Sequence, residues 1–270
     1  MSEPTPAVWL TFDNLGEASA LQRGEWTGRV PLGSDPSVTE ALPRLLCQLD
    51  DHALEATFFV EALNCELYPE ALREIVSRGH ELGVHGWRHE RWSALEPGAE
   101  RELLQRCRAA FARLGLRADG FRPPGGEPTA ATEALLNELG YRWWSSVQGA
   151  DSGPACVPFD WELVDAYHLM ERFGPLRVAR GDPLEPLTAA AAADRLAAAI
   201  EHSAARQVPI VVVLHPFLTL EPDWERGVQR VLSLLSALRG AGRVRILRTP
   251  VPVRAPEPAP APGPAARGLE

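Results

Sequence analysis

Two histidines four residues apart form the most distinctive chemical pattern of this chain. The segment His85-Gly86-Trp87-Arg88-His89 follows a short apolar run that predicts a strand. Two imidazoles at this spacing can point the same way on one turn and bind a single divalent cation. Because such a pair also arises by chance in a chain with seven histidines, it needs support from residues elsewhere.

Polar side chains, and at one position the exposed backbone of a glycine, lie at the ends of four other predicted strands and supply that support. These residues are Asp13 and Asn14, Arg122 and Gly125, Asp151 and Asp165, and His215. Together with the histidine pair they make up the inventory of a hydrolytic site: metal ligands, a general base, an orienting cation and a general acid.

The elements that must position these residues alternate between strands and helices. Short apolar runs predict seven strands, at 8–12, 56–60, 81–84, 120–122, 141–146, 210–214 and 244–247. Helical spacing is present at 36–50, 68–78, 97–114, 128–139, 188–205 and 222–238. This alternation predicts an α/β fold whose parallel sheet is rolled into a barrel, with the active site at the carboxyl ends of the strands.

The barrel is predicted to occupy residues 1–248 as one domain. From 249 to 270, seven of the 22 residues are proline and large apolar side chains are almost absent. We expect this tail to be disordered or polyproline, because it cannot form a core.

Composition excludes several classes of function. All 27 cationic residues are arginine, so no lysine is present for a Schiff base or a phosphate-binding loop. The net charge of −9, with arginines scattered among acids, argues against binding to nucleic acid or a membrane surface. The N-terminus lacks the pattern of a secretory signal, which predicts a cytoplasmic protein. The sequence leaves the oligomeric state, including a homo-oligomer, open.

The ordered motifs TFDN, ATFFV, GHELGVHGWRH, FRPPGG, WW and VVVLHP, spread over residues 8–217, resemble those of the polysaccharide deacetylase family. This family is also called the NodB-homology or carbohydrate esterase 4 family. The resemblance implies a deformed (β/α)7 TIM-like barrel and a hydrolase of carbohydrate metabolism that removes an N-acetyl group, usually from an amino sugar. It also implies a divalent metal, with zinc the favoured ion.

The same resemblance implies a role for six strand-end residues. They are Asp13 as the catalytic base, Arg122 as the residue that orients it, His215 as the general acid, His85 and His89 as metal ligands, and Gly125 as the backbone donor to the oxyanion. In this mechanism the metal polarises the amide carbonyl and activates its bound water, the base takes the water's proton, and the acid protonates the leaving amine.

Two departures from the family pattern affect the metal and the acyl pocket. The usual TFDD reads TFDN, so the third metal ligand would be Asn14, whose neutral oxygen binds zinc less well than a carboxylate. Glu17 is either a further ligand or a solvated loop acid. The tyrosine common in RPPYG is Gly125, which opens the pocket to acyl groups larger than acetyl.

A third departure concerns the aspartate that tunes the catalytic histidine. Asp151 lies near the usual distance after Trp144, whereas Asp165 matches the second aspartate of the PxxWxLDD segment of the family's cytosolic, allantoinase-like branch. This branch favours a soluble N-acylated amino-sugar-like compound or natural product over an assembled polymer. The expected partner is therefore a small N-acylated molecule.

Three tryptophans are candidates for contact with the substrate. Trp87, Trp144 and Trp161 have side chains that could stack on a sugar or line an acyl pocket, and packing inside the barrel explains them equally well. Two other functions also stay open: a metal-independent allantoinase-like amide hydrolase, and a catalytically silent barrel that binds a sugar or a partner.

Overall fold

The computed structural model describes residues 5–29, 31–149 and 154–248, and the predicted tail at 249–270 lies outside these ranges. The strands of the described chain are β1 (Ala7–Asp13), β2 (Thr57–Val60), β3 (Glu81–Val84), β4 (Gly120–Phe121), β5 (Trp143–Trp144), β6 (Ala155–Cys156), β7 (Ile210–Leu214) and β8 (Arg245–Leu247). Its α-helices are α1 (Ala18–Arg23), α2 (Leu42–Asp51), α3 (Asn64–Leu67), α4 (Pro69–Ser77), α5 (Pro97–Arg113), α6 (Thr132–Glu138), α7 (Asp165–Leu169), α8 (Gly174–Ala179), α9 (Ala189–Arg206) and α10 (Pro222–Gly240).

All of the strands belong to one parallel sheet with the order β6-β5-β4-β3-β2-β1-β7. Strand β8 pairs with the first residues of β1, below the point where β2 joins it. A single parallel bridge between Val164 and Val213 continues the sheet on the far side of β7. The sheet therefore curls into an incomplete barrel, which confirms the predicted α/β architecture.

Amphipathic helices cover the outer face of this sheet. Helix α10 shows the pattern clearly, since Val228, Val231, Leu232 and Leu235 are all fully buried at helical spacing. Strand β1 is enclosed on both faces, and every residue from Val8 to Asp13 is buried. No helix in the described ranges is long and apolar enough to cross a membrane.

Aromatic rings fill the interior of the barrel. The ring centroids of Trp9 and Trp143 are 5.2 Å apart, and Phe59 lies 5.9 Å from Trp9 and 5.6 Å from Trp143 in edge-on contacts. Strand β4 can lie beside this cluster only because it carries a glycine: a β-carbon on Gly120 would be 1.9 Å from the Trp143 ring. The packing at Gly120 fixes the strand that leads directly into Arg122.

The substitution Gly120→Ala is expected to lower the free energy of unfolding by about 2 kcal/mol or more, because the tryptophan ring must move out of a filled interior. Urea denaturation of the purified chain measures this change. Gly98→Ala is the matched control, since a β-carbon at Gly98 meets no atom within 4 Å. Equal stability of the two variants would contradict this account of the packing.

Candidate active site

A cavity of about 580 Å³ opens at the carboxyl ends of the strands. Its lining includes Asp13 and Asn14 from the end of β1, His85 and His89 after β3, Arg122 after β4, and His215 after β7. The structure thus brings the separate strand-end motifs of the sequence into one concave site, as the barrel architecture requires.

Asp13 is buried and bound to Arg122. The Asp13 Oδ1 atom accepts a hydrogen bond of 2.6 Å from Nη1 of Arg122, and the two side chains are 7% and 1% exposed. Nη1 also donates to Thr11 Oγ1, and Nη2 donates to Ser145 Oγ. With its guanidinium also 4.1 Å from the centroid of the Phe59 ring, Arg122 is held in one orientation and so fixes the carboxylate of Asp13.

His215 is bound to Asp165 through both its side chain and its backbone. Its Nδ1 lies 2.6 Å from Asp165 Oδ1, and its backbone N–H donates to Oδ2 over 2.8 Å. Asp165 is fully buried and also accepts from Trp224 Nε1 and from the Ala166 N–H. Since the carboxylate accepts the Nδ1 proton, Nε2 is left to face a substrate. Asp151, the alternative partner of the histidine, lies outside the described residues.

His85 and His89 are present as neutral imidazoles. Nδ1 of His85 donates to the carbonyl oxygen of Arg122 over 2.8 Å, which leaves Nε2 as an unprotonated ligand atom. Burial lowers the pKa of His85 to about 3 and that of His89 well below its usual range. Glu90, which the sequence analysis did not single out, accepts from the backbone N–H groups of Trp87 and Arg88 and so fixes the loop between the two histidines.

Asn14 lies at the mouth of the barrel with φ +65°, a left-handed conformation that asparagine tolerates better than most residues. Its Oδ1 is buried and has no hydrogen-bond partner in the described chain. Glu17 is neither a ligand nor a solvated acid. It is buried, accepts from Tyr68 Oη and from the Gly33 N–H, and holds the loop after β1 in place.

Glu61, which follows β2, is a member of the site that the sequence analysis missed. It is fully buried; Oε2 accepts from the Leu15 N–H over 3.2 Å, and Oε1 has no partner among the described residues. Burial, with smaller effects of Asp13 and Glu90, raises the pKa of Glu61 to about 8. The sequence feature that could have identified it is its position directly after the ATFFV strand, because functional side chains of a barrel lie at the carboxyl ends of the strands.

The arrangement suits a divalent cation. One ligand atom each of Glu61, His85 and His89 lies within 4.8 Å of the other two. Two imidazoles and a carboxylate form a donor set that catalytic zinc sites use. The unpartnered buried oxygens of Glu61 and Asn14 are the groups that a cation would satisfy.

The remaining wall of the cavity is partly open. Gly125 is exposed there with φ +78°, and a β-carbon added to it would meet no atom within 4 Å. Trp161 lines the cavity beside Phe173, with ring centroids 5.4 Å apart. Trp87 and Trp144 do not line it: both are 2% exposed and lie in the core, because their side chains point into the packing between helices and sheet.

Known proteins resemble this chain in both sequence and structure. The model of the polysaccharide deacetylase family matches residues 1–144, which is more than half of the chain. The chain belongs to the polysaccharide deacetylase family. The peptidoglycan deacetylase of Helicobacter pylori is 30% identical over 163 residues, which cover 59% of this chain and 52% of that protein. The chain thus spans about half the length of this curated relative.

Solved structures agree with the family assignment. A Mycobacterium smegmatis structure assigned to the polysaccharide deacetylases has a TM-score of 0.74 and 27% identity, and the match covers 90% of this chain and 88% of that one. The Puue allantoinase structure has a TM-score of 0.68 with 16% identity over 90% of both chains, which shows a shared fold alone. The deformed (β/α)7 barrel that the resemblance implied is therefore confirmed.

In this deacetylase-family chain, Asp13→Asn is expected to lower the free energy of unfolding by about 3 kcal/mol, because it leaves the buried Arg122 charge without its counterion. Urea denaturation checks the value. Glu138→Gln removes one partner of the exposed pair with Arg101 and is expected to cost less than about 1 kcal/mol. Similar losses in the two variants would mean that burial of the Arg122 pair does not affect stability.

Proposed function

We propose that this chain is an amidase of the deacetylase type, which hydrolyses the N-acetyl or N-acyl bond of an amino-sugar-like substrate. The observation that carries the proposal is that Asp13 and His215, which follow two adjacent strands, are each held in one orientation. Phe12 of β1 pairs with Leu214 of β7, so Asp13 and His215 follow at neighbouring positions on one side of the cavity. Each is held by its own buried partner, Arg122 or Asp165.

The two groups have complementary chemistry. Asp13 accepts hydrogen bonds and can take a proton from an attacking water, while Arg122 holds its carboxylate in one orientation. His215 has Nε2 available to protonate the amine nitrogen as it leaves, and Asp165 stabilises the imidazolium that precedes this transfer. Amide nitrogen is a poor leaving group, which is why a general acid must protonate it.

A divalent cation completes the proposed site. His85 and His89 would hold it together with oxygen donors, and the donor set favours zinc. When bound, such an ion supplies Lewis acidity, polarising the carbonyl and favouring ionisation of water. The chain prepares for it by keeping both imidazoles neutral and fixing the tautomer of His85 through the Arg122 carbonyl.

Gly125 is suited to stabilise the oxyanion through its backbone. No described residue accepts a hydrogen bond from its N–H, and this exposed glycine faces the cavity. The open space beside it favours acyl groups larger than acetyl, and Trp161 offers an aromatic wall for the scaffold. The name of the Helicobacter pylori relative supports an N-acetylated sugar as the first substrate to test.

Asp13→Ala and His215→Asn are each expected to lower kcat by about 10²-fold or more, since each removes a proton-transfer group. The assay follows release of acetate, and of propionate or butyrate, from N-acylated glucosamine oligomers by the zinc-loaded chain. Glu138→Gln, on the outer surface, should retain wild-type turnover. Full turnover in either site variant would refute the mechanism, and ligand binding without product in the wild type would favour the silent barrel.

Arg122→Lys is expected to lower kcat by on the order of 10²-fold, with KM changed far less. A lysine offers one ammonium in place of the planar fork that reaches Asp13, Thr11 and Ser145 together, so the base loses its orientation. Steady-state kinetics measure both constants, and Arg101→Lys on the surface is the control. An unchanged kcat in Arg122→Lys would show that a positive charge alone is sufficient.

A further inference from the structure

Glu61 lies between the strand that carries Asn14 and the strand that leads into His85. The backbone N–H of Asn14 donates to the carbonyl of Phe59 on one side of β2, and that of His85 donates to the carbonyl of Val60 on the other. The residue that follows Val60 is therefore flanked by the first metal motif and by the first histidine. Its Oε2 accepts from the Leu15 N–H, and one of its carboxylate oxygens lies within 4.8 Å of a ring nitrogen of His85 and of His89.

Only one of the two carboxyl oxygens of Glu61 accepts a hydrogen bond from a described residue. Oε2 accepts from the Leu15 N–H, whereas Oε1 is buried without a partner, and no ion pair of the described residues includes Glu61. A purely structural residue at this position would need one acceptor. A buried carboxyl group is either protonated or paired with a cation, and the position of Glu61, with a ligand atom within 4.8 Å of one from each histidine, points to a metal ion as that cation.

We infer that Glu61 is the anionic metal ligand of this chain and takes the place of the carboxylate that Asn14 lacks. The ligand set is then Glu61, His85 and His89, with Oδ1 of Asn14 as a neutral further donor. This inference rests on the proposed function, because it completes the same site. It keeps one negative charge among the ligands while moving that charge from the end of β1 to the end of β2.

Neighbouring acids are not available for this role. Asp13 is committed to Arg122, and Glu17 is bound to Tyr68 and Gly33. Glu90 accepts hydrogen bonds from the backbone N–H groups of Trp87 and Arg88, in the loop between the two histidines. Among these acids, Glu61 is the one with a free oxygen near both imidazoles.

The test measures zinc affinity of the full chain after removal of metal with a chelator, by calorimetric titration with Zn²⁺ in competition with a chelator of known affinity. Glu61→Gln is expected to weaken zinc binding by about 10²-fold or more. Loss of a residue that only hydrogen-bonds to a metal ligand lowers metal affinity by about 10- to 100-fold, and loss of a ligand itself should cost at least as much. Glu100→Gln, which changes an equally buried acid on α5 that is bound to Trp92 and Thr132 outside the cavity, is the matched control and should bind zinc as the wild type does.

A second variant separates loss of the ligand from damage to the fold. Asn14→Asp combined with Glu61→Gln returns the carboxylate to β1 and is expected to regain affinity to within about tenfold of the wild type. The absorption spectrum of bound Co²⁺ should change in Glu61→Gln and not in Glu100→Gln. Wild-type zinc affinity in Glu61→Gln, or an unchanged cobalt spectrum, would overturn the inference.

Parallel turnover assays distinguish this inference from the proposed function. Amide hydrolysis by a chain that binds no zinc would overturn the metal role of Glu61 and leave the amidase intact. Zinc bound through Glu61 without hydrolysis of any N-acylated amino sugar would support the ligand assignment and overturn the proposed activity.

Discussion

The buried ion pair between Arg122 and Asp13 is the interaction on which the geometry of the site depends. The guanidinium joins two residues of β1 to Ser145 after β5, and the Arg122 carbonyl fixes the ring of His85 after β3. One residue thus orients both the proposed base and a proposed metal ligand. Removal of either Arg122 or Asp13 alone would leave an uncompensated buried charge, so a substitution at one of the two positions destabilises the fold.

The buried acids of the site are stabilised in different ways, and the difference matches their proposed roles. Asp13 has a cationic partner and is ready to accept a proton. Asp165 receives hydrogen bonds from two backbone N–H groups, an indole and His215, so its charge is satisfied while it positions the imidazole. Glu61 accepts from the Leu15 N–H and has one unpartnered oxygen, and burial raises its pKa to about 8, so a nearby cation is needed to favour its charged form.

Sequence patterns predicted the sheet and the strand-end motifs because strands and helices of ordinary length carry clear periodicity. Strand β3 agrees with its prediction at both ends, whereas β6 and the short helices α7 and α8 were missed because two to six residues hold too little periodic information. The core positions of Trp87 and Trp144 and the buried Glu17 depend on contacts between distant segments. Glu61 lies outside the motifs TFDN and GHELGVHGWRH, which predicted the metal site, so the sequence did not identify it as a ligand.

The inferred ligand role of Glu61 gives a physical reason for an asparagine at residue 14. An aspartate there would place a third carboxyl group beside Asp13 and Glu61 in a buried region, where like charges at short range are costly. Asparagine keeps an oxygen donor without that repulsion and accepts the left-handed backbone that the end of β1 requires. With Glu61 as the inferred anionic ligand, the metal site of this chain has one carboxylate, at the end of β2 instead of at the end of β1 as in the TFDD pattern.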